Sequence, residues 1–263
     1  MAFSKNSRLL GEERRRKILQ LMEKNGQVTI TDLARRFSVS AVTVRADLDA
    51  LSSSGAIMRS HGGAVRRNEA THDYPLRLKA GLHRTEKIRI GQAAAELVRP
   101  NETIILDSGT TTAEIAVHLK ERKVQPLTVI TNALNISLEL IDASGVSVIV
   151  IGGLLRPVSY SFVGPQAEAM LKELHADRLF LAVDGFDVES GPSTPDVLEA
   201  QLNSVMVSVA REVTVVADSS KLGRRSVSRI SPLESISRLI TDRRAPAEFV
   251  EALRKRGMQV ALV

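Results

Sequence analysis

Cysteine and tryptophan are absent from the 263 residues, and aromatics of any kind make up only 3%. Without thiols the chain has no disulfides, thiolate metal sites or cysteine nucleophile, which fits a reducing cytoplasm. Long apolar runs are missing as well, since a stretch such as Val148-Ile149-Val150-Ile151 falls far short of the ~20 residues a membrane helix needs. The opening Met-Ala-Phe-Ser-Lys-Asn-Ser-Arg has no apolar segment behind its charges. No signal peptide is expected, and a soluble cytoplasmic protein is. The five histidines, His61, His72, His83, His118 and His175, show no HxxxH or HxH spacing, so no metal site is expected. No G-x-S-x-G elbow offers a serine nucleophile either.

What is present is ordinary for a globular chain. A hydrophobic content of 43% and a charged content of 25% exclude the disordered and collagen-like classes and suit one large domain or two unequal ones. The net charge of +6 is unevenly placed: residues 1–70 hold 13 lysines and arginines against 7 acids, whereas the remainder is balanced at 23 of each. Such a distribution is the footprint of a polyanion-binding module joined to a neutral one, and by charge alone a solvated basic surface is an equal reading. All nine prolines lie at or beyond Pro75, which marks the same division.

Before Pro75 the apolar spacing is helical. Ile18, Leu21 and Met22 form one group, Leu33, Ala34 and Phe37 a second, and Val44, Leu48 and Leu51 a third. Three short helices therefore fit residues 13–53, with Thr29 and Ser40 as caps of the second and third. At 100° per residue Val44, Leu48 and Leu51 share a narrow inward arc, leaving Val42, Thr43, Arg45, Ala46 and Asp49 outward or flanking. A small polar outer face suits a helix laid in a DNA major groove. Residues 55–65 then offer two short extended stretches around Gly62-Gly63, the pattern of a hairpin wing.

The segment Val39-Ser40-Ala41-Val42-Thr43-Val44-Arg45-Ala46-Asp47-Leu48, followed by His61-Gly62-Gly63-Ala64, resembles the winged helix-turn-helix of the DeoR family of bacterial transcriptional regulators. Ala46 stands where that family usually has a second arginine. Double-stranded operator DNA is the partner this implies, with Arg35, Ser40, Thr43, Arg45, Arg59 and His61 as contacts. Ser40 has an equal claim to being only a cap, and His61 to holding the wing turn.

Beyond about Arg84 seven β-rich runs alternate with amphipathic stretches: Thr103–Leu106, Leu127–Ile130, Val146–Ile151, Leu179–Val183, Val213–Ala217, Ile236–Thr241 and Val260–Val263. This pattern predicts a largely parallel α/β sheet. The first run leads into Asp107-Ser108-Gly109-Thr110-Thr111-Thr112 and then a helix, an arrangement that gathers free backbone N–H groups and hydroxyls as phosphate sites do. The loop lacks the Walker lysine and the triple glycine of a dinucleotide fingerprint, so no cofactor is expected. Four further polar turns follow later runs: Thr131-Asn132-Ala133, Gly152-Gly153 with Arg156, Asp184-Gly185-Phe186-Asp187, and Asp218-Ser219-Ser220-Lys221. In open α/β sheets the strand ends build the ligand crevice.

This part of the chain also resembles the DeoR-family sensor domain, which is similar in fold to ribose-5-phosphate isomerase and takes phosphorylated sugars. The ligand residues the resemblance implies are Asp107, Gly109, Thr110, Thr111, Asn132, Gly153, Arg156, Asp184, Gly185 and Lys221. The stretch Ser193–Asn203 is similar to the branch of repressors controlling N-acetylgalactosamine use, which implies an amino-sugar or hexose 6-phosphate effector. The fold class expected is α/β: a winged helix-turn-helix over residues 1–66, a polar basic linker over 67–84, and a sensor and oligomerisation domain over 85–263. The function expected is that of a homo-oligomeric repressor, a dimer or tetramer, released from its operator by the phosphosugar. A sugar-phosphate isomerase is the alternative, because Asp184 and Asp187 resemble that enzyme's paired aspartates. Against it, Val188–Ser193 contains no lysine and one glycine, where the isomerases carry a Lys- and Gly-rich segment. No catalytic residue is therefore expected.

Overall fold

The computed structural model describes residues 11–53, 56–60, 62–66 and 73–263. The chain divides into two compact units, one ending at Leu82 and the other beginning at His83.

The first unit runs α1 (Gly11–Asn25), β1 (Gln27–Thr29), α2 (Ile30–Phe37), α3 (Ala41–Ser53), β2 (Ile57–Ser60), β3 (Gly63–Arg66) and α4 (Leu76–Gly81). Thr29 caps α2 by accepting from the Asp32 N–H, and the helix ends at Ser38 in the left-handed region, φ 52°. Ser40 Oγ accepts from the Thr43 N–H at 3.1 Å, which starts α3 one residue after the turn. Ile18 and Met22 of α1, Leu33 of α2, and Val44, Leu48 and Leu51 of α3 close over one core, the three from α3 fully buried on the arc that periodicity assigned them.

The wing pairs β2 with β3 antiparallel, and β1 joins on the far side of β3, with Val28 opposite Ala64. That third strand was not expected, because three residues carry no period. Its approach explains Gly63: a Cβ there would lie 2.0 Å from the Val28 carbonyl oxygen.

The expected linker needs correction. Residues 67–72 fall outside the described residues, but residues 73–82 belong to this unit. Tyr74 Oη donates to the Ala56 carbonyl at 3.1 Å, and Tyr74, Leu78 and Leu82 pack on the core. Apolar residues at helical spacing were hidden among basic neighbours.

One buried ion pair joins α1 to α3. Arg14 Nε donates to Asp47 Oδ2 at 2.5 Å, and Arg15 adds a contact to Oδ1 at 3.5 Å.

The second unit runs α5 (Arg84–Ala95), β4 (Thr103–Leu106), α6 (Thr110–Arg122), β5 (Leu127–Thr131), α7 (Leu134–Leu140), β6 (Val146–Val150), β7 (Leu154–Arg156), β8 (Ser161–Val163) and α8 (Pro165–Lys172). It continues β9 (Ala176–Leu181), β10 (Gly185–Asp187), β11 (Gly191–Thr194), α9 (Val197–Val209), β12 (Ala210–Val216), β13 (Ser228–Arg229), β14 (Arg238–Thr241), α10 (Ala247–Lys255) and β15 (Gln259–Leu262). Seven strands pair in the order β15-β14-β12-β9-β4-β5-β6, every pair parallel. These are the seven runs read from the sequence, with ends shifted by up to three residues.

Alternation along each strand splits the core into two layers. Ile104 and Leu106 face α5, α6 and α7 through Ile90, Ile115 and Ile136. Ile105 faces the opposite layer, where Leu171, Leu202, Met206 and Leu253 come from α8, α9 and α10. The two small antiparallel sheets, β7-β8 and β10-β11-β13, lie outside this sheet.

Asp47→Ala removes the buried carboxylate that ties Arg14 and Arg15 of α1 to α3 and is expected to destabilise the first unit by about 3–5 kcal/mol. Hydrogen exchange on the full chain checks this: amides of residues 11–53 should lose protection while those of β4, β5 and β9 keep theirs. Unchanged protection in α1 and α3 would show that the pair is not structural.

Candidate functional site

On the first unit, α3 presents Val42, Arg45, Ala46 and Asp49 to solvent, with Thr43 half-buried at its N-terminal end. No acidic residue lies in its first turn. The Ser40 hydroxyl is engaged twice by Thr43, by the N–H at 3.1 Å and by Oγ1 at 2.9 Å, so capping accounts for its geometry. Arg35 is exposed 3.8 Å from Asp32, and Arg59 lies 3.3 Å from Asp49. His61 lies outside the described residues.

In the second unit parallel pairing sends every strand's C-terminus to one edge, and the polar turns gather there. After β4 come buried Asp107 and Ser108, then Gly109, which precedes Thr110 at the start of α6. Thr111 is buried and Thr110 half-buried. After β5, Asn132 is fully buried and its Nδ2 donates to the Phe162 carbonyl at 3.0 Å. After β6, Gly153 has φ 147°, and a Cβ on it would lie 2.6 Å from the Val163 oxygen, so no other residue fits. Beyond β9, Asp184 precedes Gly185, which opens β10, and Lys221 stands 3.8 Å from Asp184.

A residue passed over in the sequence organises this edge. Glu199 of α9 accepts from Ser108 Oγ at 3.0 Å through one carboxylate oxygen, and through the other from Arg156 at 2.9 Å and Thr194 at 3.4 Å. Arg156 also donates to Ser159 at 2.7 Å and pairs with Asp196 at 3.2 Å. Thr194 reaches Asp184 at 3.4 Å, and Asn203 Nδ2 reaches Asp107 at 3.4 Å. Asp107, Arg156, Asp184 and Lys221 thus belong to one network, and Thr110, Asn132 and Gly153 stand at neighbouring strand ends. The signal for Glu199 was present but ambiguous: Asp196 caps α9 by accepting from the Glu199 N–H at 2.9 Å, and an Asp-x-x-Glu spacing reads as a surface cap.

Charges across the edge differ in their environments. Burial, reinforced by the charge of Glu199, pushes the Asp107 carboxyl well above the ordinary range despite hydrogen bonds from Ser108 and Ala182. Burial would raise Asp218 and Asp242 too. Lys221, His83 and Lys87 instead hold Asp218 below its ordinary value, and N–H donors of Ser219 and Arg244 do so for Asp242. Asp187 Oδ1 accepts from Glu189 N, Ser190 N, Ser190 Oγ and Arg225 at 2.9–3.0 Å, so it braces the β10–β11 turn. A carboxylate committed to four donors is poorly placed to exchange a substrate proton. Among the described residues no group of His, Asp and Glu is arranged to hold a metal ion, and no helix is long and apolar enough to cross a membrane.

Residues 14–70 match the DeoR-like helix-turn-helix domain, and residues 82–243 match the DeoR C-terminal sensor domain. The chain belongs to the DeoR family. It is 41% identical over 253 residues to a protein of Escherichia coli O157:H7 named for transcriptional repression of the aga operon, covering 95% of this chain and 93% of that one. It is 34% identical to the transcriptional repressor AccR of Agrobacterium fabrum, covering 88% and 89%. Among solved structures, ribose 5-phosphate isomerase A from Neisseria gonorrhoeae aligns with a TM-score of 0.40 at 16% identity, covering 58% of this chain and 56% of that one. As a DeoR-family member the chain is a DNA-binding transcriptional regulator with a sensor domain, and not an enzyme.

Asp242, with its lowered pKa, stabilises the fold above the ordinary carboxylate value near 3.9, and that contribution is lost as pH falls through the lowered pKa. Asp242→Asn is therefore expected to lower the melting temperature at pH 7, by an amount that shrinks below about pH 4. Melting curves across this range check it. A gap independent of pH would contradict the assignment.

Proposed function

We propose that this DeoR-family regulator represses a sugar-catabolic operon in the cytoplasm and is released from its operator by a phosphorylated sugar, an amino-sugar 6-phosphate in the first instance. The observation that carries the reading is the pairing in one chain of a basic winged helix-turn-helix with polar turns gathered at the strand ends of a parallel sheet. The name of the aga operon relative supports the sugar class.

In this reading Arg45 and Thr43 enter the major groove at the N-terminal end of α3. Arg35, Ser40, Arg59 and His61 meet the backbone around it. Paired half-sites call for at least two heads, so the working form is a homo-oligomer, a dimer or tetramer. The phosphate sits against the Ser108–Thr110 turn and the α6 N-terminus, with Thr111 behind it. Asp107, Asn132, Gly153, Arg156, Asp184, Gly185 and Lys221 line the remainder. Only unequal affinity for two states of the sensor lets the sugar act on the heads, a coupling expected at about 1–3 kcal/mol.

Fluorescence anisotropy of the full chain on its own upstream DNA, with and without a panel of sugar 6-phosphates, tests this. Operator affinity should fall steeply with salt and drop about 5–150-fold on addition of the effector. Arg45→Ala should weaken operator binding by about 1–3 kcal/mol, and Thr110→Ala should raise the sugar concentration needed for release. Operator affinity indifferent to every phosphosugar would remove the induction half. Equal operator binding by Arg45→Ala and wild type would remove Arg45.

A further inference from the structure

The outer face of α3 is apolar at its most exposed point. Val42 is 71% exposed and Ala46, one turn on, is exposed as well, whereas Val44, Leu48 and Leu51 hold the buried side. At 100° per residue Val42 and Ala46 straddle the direction opposite that core, with Asp49 and Arg45 to one side of them. Asp49 Oδ1 lies 3.3 Å from Arg59 of the wing, which balances the one acidic charge on this face.

Folding gives no reason for a valine at that point. A β-branched side chain gives up rotamer freedom in a helix and ranks below alanine, lysine or glutamate as a helix former, and an exposed one recovers nothing by burial. Single exposed apolar side chains are common on proteins, and what informs here is the place. Val42 is the second residue of α3, next to Thr43, whose N–H the Ser40 hydroxyl accepts, in a first turn that has no acidic residue. In helix-turn-helix proteins the N-terminal residues of this helix are the ones that meet base edges. Val42 and Ala46 carry no side-chain donor or acceptor, so they read nothing by hydrogen bonding. The apolar group that the major groove offers them is the 5-methyl of thymine. Against any other base edge a valine desolvates a donor or acceptor without replacing it.

We infer that Val42, with Ala46 beside it, packs on thymine 5-methyl groups in each operator half-site and is a specificity-determining residue of this regulator. This rests on the operator reading above and narrows it, because it fixes A·T pairs under the N-terminal end of α3 with thymine on the strand that faces Val42. The division of labour on α3 follows from chemistry. Arg45 and Thr43 supply charge and hydrogen bonds, which phosphates and most base edges accept. Val42 supplies discrimination without charge, so it adds to the choice of sequence and leaves the salt dependence to the basic residues.

Fluorescence anisotropy of the full chain on its own upstream DNA tests this, with the duplex made once with thymidine and once with deoxyuridine throughout, which removes every 5-methyl and keeps every base pair. Burial of one methyl-sized group is worth about fourfold, so with two half-sites wild type should bind the uracil duplex about tenfold more weakly or worse, with an unchanged salt slope. Val42→Ala puts a better helix former at an exposed position and should leave the melting temperature at or above that of wild type. This variant should bind thymine DNA about as weakly as wild type binds uracil DNA, and its own loss on the uracil duplex should fall to within about threefold. Equal wild-type affinity for the two duplexes overturns the inference. So does a uracil penalty of undiminished size in Val42→Ala, which would belong to duplex shape instead. If wild type prefers neither duplex to an unrelated one of the same length, the operator reading fails and takes this inference with it, whereas operator binding indifferent to the methyl groups sinks the inference alone.

Discussion

Parallel pairing of β4 with β5 on one side and β9 on the other is the constraint from which the sensor's chemistry follows. Parallel strands need crossover helices, so both faces must be covered, and the strands must be apolar throughout. Ile104, Ile105 and Leu106 meet that demand by serving two cores within three residues. Once the strands run one way, their polar ends have a single edge to occupy. Asp107, Asn132, Gly153, Asp184 and Asp218 arrive there from different parts of the chain because backbone pairing leaves them no alternative. Glu199 then crosses between the turns, binding Ser108 and Arg156 at once, and gives the edge a fixed arrangement of charge.

The first unit solves a different problem with local means. Capping at Thr29 and Ser40 fixes where α2 and α3 begin, and the buried Arg14–Asp47 pair fixes α3 against α1. With Asp47 turned inward, the acid nearest Arg45 in sequence is withdrawn from the outer face, which suits a surface that meets phosphates. In the proposed reading the charge excess of the first seventy residues works as long-range attraction, and the exposed end of α3 as the close contact.

Much of this was legible in the sequence, for reasons that also explain what was not. Buried parallel strands are unbroken runs of Val, Ile and Leu, so the seven stand out from their surroundings, and the Gly-, Ser-, Thr- and Asp-rich turns stand out at their ends. The arc of Val44, Leu48 and Leu51 is visible because a helix repeats within four residues. Ribbons such as β10-β11-β13 are not, since Gly185–Asp187 and Ser228–Arg229 owe their pairing to distant partners and carry no period. The helix Leu76–Gly81 was missed because basic neighbours made an apolar stripe read as linker. Glu199 was hidden in plain sight: the local cap it forms with Asp196 is readable, but its bond to Arg156, forty-three residues earlier, exists only once the sheet has formed.

Both halves act as one device only if the sugar and the operator compete for states of the same molecule. Reciprocity then requires that operator DNA weaken sugar binding by the factor by which sugar weakens operator binding. The most direct test is calorimetric titration of the effector phosphosugar into the protein alone and into the protein saturated with operator. The account predicts a sugar affinity lower in the complex by the factor measured from the DNA side, within about 5–150-fold. Equal sugar affinity in the two titrations would contradict it.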